Sequence, residues 1–110
     1  MKAHSLRGMA KALAGLLAAF ALSQSHAQTA LELGRERAAL VFQILASEMA
    51  LAQGEVGIAA VTYLSVARQT QDPAAARRAT ELAIEARMPQ RAQEAAQIWL
   101  INAPKDREAQ

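Results

Sequence analysis

Residues 72–104, DPAAARRATELAIEARMPQRAQEAAQIWLINAP, decide the fold. Asp72 can accept hydrogen bonds from free backbone N–H groups, and Pro73 fits the first position of a helix. The spacing predicts a helix from Pro73 to about Arg87. Ala76, Ala79, Leu82, Ala83 and Ala86 make its inner face, and Arg78, Glu81 and Glu85 a solvated one. Pro89 disfavours helical geometry at Met88 and opens a further helix to about Asn102. Ala92, Ala95, Ala96, Trp99 and Leu100 face inward there, and Pro104 closes it. The stretch is helix, short break, helix, stop.

The residues before it follow the same plan. A first helix is expected from about Leu31 or Arg35 to Gln53, with Gly34 marking a fray or kink. Val41, Ile44, Glu48 and Leu51 form one stripe, with Leu45, Met49 and Ala52 beside it. A helix this apolar is expected to be covered on more than one face. Gly54 caps its end. A second helix runs from about Glu55 to Thr70, with Glu55 and Arg68 suiting the two ends of its dipole. Ala59, Tyr63, Val66 and Ala67 form its inner face. Four helices and no strand are expected, successive helices lying antiparallel because the connections are short. Alanines in the seams let backbones approach closely.

The amino-terminal third has a different character. Lys2, Arg7 and Lys11 precede Ala12–Leu22 (ALAGLLAAFAL), a run of eleven residues with no polar side chain. Ser25-His26-Ala27 offers small residues at the two positions a signal peptidase reads. Residues 1–27 are expected to be a signal peptide cut after about Ala27, leaving a periplasmic or secreted chain. Eleven residues of helix span only about 16 Å, short of the ~30 Å of a bilayer core. No stable membrane span is expected after cleavage, and no cysteine follows the run to carry a lipid.

Charge excludes a class of partner. The whole chain has a net charge of +2, with 12 Lys+Arg and 10 Asp+Glu. Three of the basic residues (Lys2, Arg7, Lys11) and no acid lie in residues 1–27, so the remainder carries 9 − 10 = −1. A phosphate-binding surface needs concentrated positive charge, and no nucleic-acid partner is expected. There is no cysteine, and both histidines, His4 and His26, lie in the leader. The mature chain therefore has no Ser-His or Cys-His pair and no usual zinc or copper ligand set. It reads as non-catalytic, with no cofactor or metal.

The pairs Ala59/Ala95, Tyr63/Trp99 and Ala67/Ala103 are each 36 residues apart. Together with Gln53-Gly54-Glu55 between paired helices and the later Pro73 and Pro104, they resemble the tetratricopeptide repeat family over roughly residues 38–104. That family's unit is about 34 residues, two antiparallel helices with a small residue four before an aromatic on the second. The spacing here is longer. Ala46-Ser47 replaces the family's Leu-Gly pair, and Met88-Pro89 stands where a glycine turn is expected. The resemblance implies an all-α fold: tandem antiparallel helical hairpins in an α-solenoid, whose concave face binds a protein or peptide. Residues 28–37 would lead in, and 105–110 would open a further helix. Two repeats are few for an isolated array, so self-association is a further expectation.

In the family, the first helix of each pair lines the groove. Carried here, a partner-binding groove would comprise Val41, Ile44, Glu48 and Leu51, with Arg77, Thr80, Ile84 and Arg87. Apolar and arginine side chains in one strip suit an extended peptide bearing carboxylates, since arginine offers a planar fork of donors. Against this stands ordinary solvation of Arg77 and Arg87 and packing of Ile44 and Ile84 on neighbours. Tyr63 and Trp99 read as core rather than as ligand-stacking platforms. Glu81 and Glu85 beside Arg78 read as a surface pair rather than an acid–base couple.

The leading functional reading is an exported, non-catalytic helical-repeat protein mediating protein–protein interaction, as a scaffold or chaperone-like adaptor. The alternative is the non-catalytic helical region of a larger exported enzyme, for example one acting on the cell wall. A third is a helical bundle that oligomerises through exposed Leu and Ile.

Overall fold

The computed structural model describes residues 2–110, with side-chain surroundings given from Lys11 onward. The expected charges at Lys2 and Arg7 lie outside the residues whose side chains are described. Among the described residues the protein is all-helical. The helices are α1 (Lys2–Ala52), α2 (Val56–Thr70), α3 (Pro73–Glu85) and α4 (Pro89–Asn102).

Two compact units divide the chain, Met1–Arg37 and Ala38–Gln110. The first is wholly α1 over its described residues, and from Lys11 on its side chains are exposed. Helix α1 does not begin near Leu31 or Arg35 as expected. No proline interrupts the residues before Leu31, and a single glycine such as Gly34 costs a helix only about 1 kcal/mol. No helix among the described residues is long and apolar enough to cross a membrane.

The second unit holds the core. The Tyr63 hydroxyl meets Glu48, and Gln69 meets Gln43. Rising numbers on α2 therefore pair with falling numbers on α1, so the two run antiparallel. Likewise Ala75 and Ala76 share a cluster with Trp99, and Leu82 and Ala83 one with Ala92 and Ala95, so α3 and α4 are antiparallel. Helix α3 packs against both α2 and α4. Alanines dominate these seams: Ala59, Ala67, Ala76, Ala79 and Ala95 are all 0% exposed. Leu64 and Leu82 are the largest fully buried aliphatic side chains. A methyl-lined seam brings helix axes close and leaves few voids.

Tyr63 and Trp99 are buried, as core residues, but they occupy different clusters. The hairpins explain why. Ala52 and Glu85, which end α1 and α3, are 33 residues apart, as are Val56 and Pro89, which open α2 and α4. The structural period is therefore 33, not the 36 of the alanine and aromatic pairs. In this register Trp99 matches Val66, and Ala96 matches Tyr63.

Both hairpin turns have one geometry. Gly54 has φ 79° and Arg87 φ 57°, in the left-handed region. Glu55 N–H donates to Ala50 O (2.8 Å) and Gly54 N–H to Leu51 O (3.0 Å). Met88 N–H donates to Ala83 O (2.8 Å) and Arg87 N–H to Ile84 O (3.1 Å). Each is a Schellman closure, and Arg87 takes the glycine's place in the second. This stops α3 at Glu85, two residues before the expected end.

Three further expectations need correction. Helix α1 is not covered on several faces. From Ala38 on it buries only Ser47 and Ala50, with Leu40, Gln43 and Leu51 partly covered, while Phe42, Leu45 and Met49 stay 71%, 57% and 59% exposed. Leu100 is 39% exposed rather than inward, since Ala92, Ala95 and Trp99 already form α4's buried face. Residues 105–110 form turns, not a helix. Asp72 caps α3 as its sequence implies, its carboxylate accepting from Ala74 N–H at 3.1 Å.

Candidate functional site

The expected groove residues are only partly on one surface. Val41 (64%), Ile44 (37%) and Ile84 (65%) are exposed. Glu48 and Arg77 are also exposed. Leu51 is half-buried and packs on the core. Thr80 is buried, its hydroxyl donating to Ala76 O at 2.7 Å. The last turn of an α-helix carries free carbonyls, but Thr80 sits mid-helix, where back-bonding to the preceding turn satisfies its hydroxyl. Arg87 is not on α3 at all but in the left-handed turn after it. Leu51 and Thr80 are thus turned toward the core and Arg87 lies beyond α3, while Val41, Ile44, Glu48, Arg77 and Ile84 are exposed.

Glu48 is joined to the neighbouring helices through Tyr63. The tyrosine hydroxyl donates to Glu48 Oε1 at 2.6 Å. Burial, and then the Glu48 carboxylate, push the Tyr63 pKa up, while Arg78 acts in the opposite sense. Arg78 therefore belongs to this polar cluster, at the meeting of α1, α2 and α3. Sequence reading placed Arg78 only on a solvated face. Its neighbourhood with Tyr63 follows from how α3 crosses α2, which spacing within one helix does not report.

A second cluster surrounds the start of α3. Arg77 Nε donates to Glu81 at 3.1 Å, and its Nη2 lies 3.3 Å from Glu108. Arg78 lies 3.8 Å from Glu81. These carboxylates push the Arg77 pKa up, Glu81 foremost. The Trp99 indole N–H donates to Asp106 at 2.9 Å, and Ala109 packs beside Trp99. The carboxyl-terminal segment is thereby folded onto α3. An open cavity of about 470 Å³ lies there, lined by Pro73, Ala74, Arg77, Arg78, Glu81, Trp99, Ala103 and Asp106. It combines an apolar floor with two guanidinium groups whose present partners are carboxylates of the chain itself.

A further ion pair joins α2 to α4. Arg68 Nε and Nη2 donate to the two oxygens of Glu94 at 2.7 and 2.6 Å. The pairing lowers the Glu94 pKa and raises that of Arg68. Both side chains are about half-exposed, so the pair contributes little to stability. It joins the outer edges of two helices.

Among the described residues no group of three or more His, Cys, Asp or Glu side chains is placed to hold a metal ion. No buried side-chain polar atom of the described residues lacks a hydrogen-bond partner. The surface beside the cavity presents the Arg77 and Arg78 guanidinium groups and the Trp99 side chain. Compared with known proteins, the chain matches no family model, and a search of curated proteins finds no match.

Proposed function

We propose that the protein is an exported, non-catalytic helical-repeat module of tetratricopeptide type, serving as a scaffold or adaptor that holds an extended, acidic segment of a partner protein. The observation that carries the reading is the pair of arginines at the start of α3, already met by carboxylates beside an open cavity floored by Trp99. An arginine fork recognises carboxylates with directional hydrogen bonds, and Ile84 offers an apolar contact on the same helix. Two helical hairpins related by a period of 33 residues support the repeat assignment. Export rests on the three-zone leader of residues 1–27.

Two measurements test it. Amino-terminal sequencing of the protein from the periplasm should begin at Gln28; a start at Met1 in the cytoplasm overturns export. A photo-crosslinking residue at Ile84 should trap a partner in cells, and Arg77→Ala with Arg78→Ala should abolish the adduct. Trapping at the wild-type level in that double variant overturns the groove.

A further inference from the structure

Residues 105–110 reach the helices through few atoms. Asp106 accepts from the Trp99 indole N–H at 2.9 Å, Glu108 lies 3.3 Å from Arg77 Nη2, and Ala109 packs beside Trp99. The backbone N–H groups of the segment bond locally. Asp106 donates to Ala103 O at 3.0 Å, Ala109 to Asp106 O at 3.3 Å, and Glu108 to the Asp106 carboxylate at 3.2 Å. Among the described residues no backbone hydrogen bond ties the segment to α3. A stretch held by two carboxylates and one methyl group is among the parts of a protein that open at low cost.

Its contacts use the chemistry that the start of α3 offers to a partner. The two acids stand two residues apart, and a small apolar residue follows them. Asp106 takes the one hydrogen-bond donor of the indole. Glu108 takes Arg77 Nη2, while Glu81 holds Nε of the same guanidinium. Glu81 foremost, then Glu108 and more weakly Asp106, push the Arg77 pKa up, so both charges of the segment reach that group. The cavity of about 470 Å³ stays open beside them, with Asp106 in its wall. A ligand that takes over the contacts of Asp106 and Glu108 has that space for its adjoining residues.

The segment is a weak ligand for two arginines. Lys105 and Arg107, both exposed, cancel the charge of Asp106 and Glu108 within the same six residues. The Arg77–Glu108 pair is itself exposed on both sides, and such pairs hold weakly. What favours the segment is its tether, since a short link supplies an effective concentration in the millimolar range. An acidic segment without the two cations is drawn more strongly to Arg77 and Arg78.

We propose that residues 105–110 are an internal stand-in for the partner, and that the segment the groove takes carries carboxylates two residues apart followed by a small apolar residue. Resting on the groove reading above, this makes binding a replacement. Asp106 and Glu108 leave Trp99 and Arg77 as the partner's acids arrive, and the site is closed to ligands of lower affinity.

Nuclear magnetic resonance on the full chain tests this, because the one indole N–H in the sequence is that of Trp99. The probe is the peptide acetyl-APADAEAQ-amide, residues 103–110 with both cations replaced by alanine. Asp106→Asn with Glu108→Gln should shift the indole resonance and leave the helical circular dichroism signal unchanged. Adding the peptide to that variant should move the resonance back toward its wild-type position. Binding is read in both chains from the backbone amides of α3. A segment seated about four-fifths of the time lowers apparent affinity about fivefold, so the wild type should need about five times as much peptide. The same peptide with Asn and Gln for its acids should not bind. A variant unmoved by ~10 mM peptide, above the effective concentration of a short tether, overturns the proposal. So does a wild type that binds as tightly as the variant, or a neutral peptide that binds equally well. In cells, the Ile84 adduct should rise severalfold in the variant. An adduct abolished by Arg77→Ala with Arg78→Ala but unchanged in the variant removes this proposal and keeps the groove. An adduct that the two alanines leave intact removes the groove and this proposal with it.

Discussion

Replacing Leu64 and Leu100 separately with alanine removes the same atoms from two surroundings. Leu64 is 1% exposed in the cluster shared by α2, α3 and α4, and Leu100 is 39% exposed on α4. Full burial of a leucine side chain is worth about 1.5–3 kcal/mol. Closed packing around Leu64 adds a cavity term, so Leu64→Ala should cost about 3–4 kcal/mol. Leu100 recovers only part of the transfer energy and its removal leaves no enclosed void, so Leu100→Ala should cost about 1 kcal/mol. A domain of this size holds only about 5–10 kcal/mol in all. The difference is therefore readable as a separation of roughly 10 °C in melting temperature. Urea unfolding followed by circular dichroism gives both values, provided the slopes stay equal. Losses equal within about 0.5 kcal/mol, a spread typical of independent surface changes, would refute the placement of Leu64 in the closed core and of Leu100 on open surface.

Three further outcomes are expected. Ala79→Leu, at a position 0% exposed, should destabilise by about 1–3 kcal/mol or more through overpacking; a neutral effect in chemical denaturation would mean the α3 seams are loose. Arg87→Gly should raise the unfolding midpoint slightly, by no more than about 1 kcal/mol, because glycine holds φ 57° without the penalty a side chain incurs; a lower midpoint would contradict the turn geometry. Tyr63 has a raised pKa, burial being the first cause, so folding favours its neutral phenol. Its contribution is fully present below the unfolded value of about 10, and is lost as pH rises through the higher folded value. Tyr63→Phe should flatten the stability profile in that alkaline window, and an unchanged slope there would show that Tyr63 is not its source.

Much of the fold was written in local signals. Asp72-Pro73, Pro89 and Gly54 act within a turn of themselves, and the ends they mark stand where those residues put them. The inward faces of α2 and α3 were legible for the same reason, since burial follows helical spacing when both sides are covered. The start of α1 was not legible, because no residue from Gln28 to Leu33 breaks a helix. Nor was the true period. Matching alanines with alanines and tyrosine with tryptophan gave a shift three residues too long, and only the hairpin turns resolve it. An arginine in a left-handed turn carries no sequence mark of that role.

The site was less legible than the fold. Val41, Ile44 and Ile84 are exposed, and Arg77 sits beside carboxylates and a cavity. Thr80 was misplaced because a threonine's helical position does not reveal whether a neighbouring helix covers it. Arg78 was missed because its role depends on Tyr63, which belongs to another helix. Asp106 and Glu108 meet Trp99 and Arg77 only through the path of the chain after α4, which no periodicity encodes.

That path couples the carboxyl end to the middle of the protein. Two acidic side chains there act as a latch whose keepers are Trp99 and Arg77. A protease nick at Lys105 or Arg107 would therefore be felt on α3 as an Arg77 left with Glu81 alone and an uncovered indole edge. Handles for labelling or immobilisation are better placed elsewhere on the molecule.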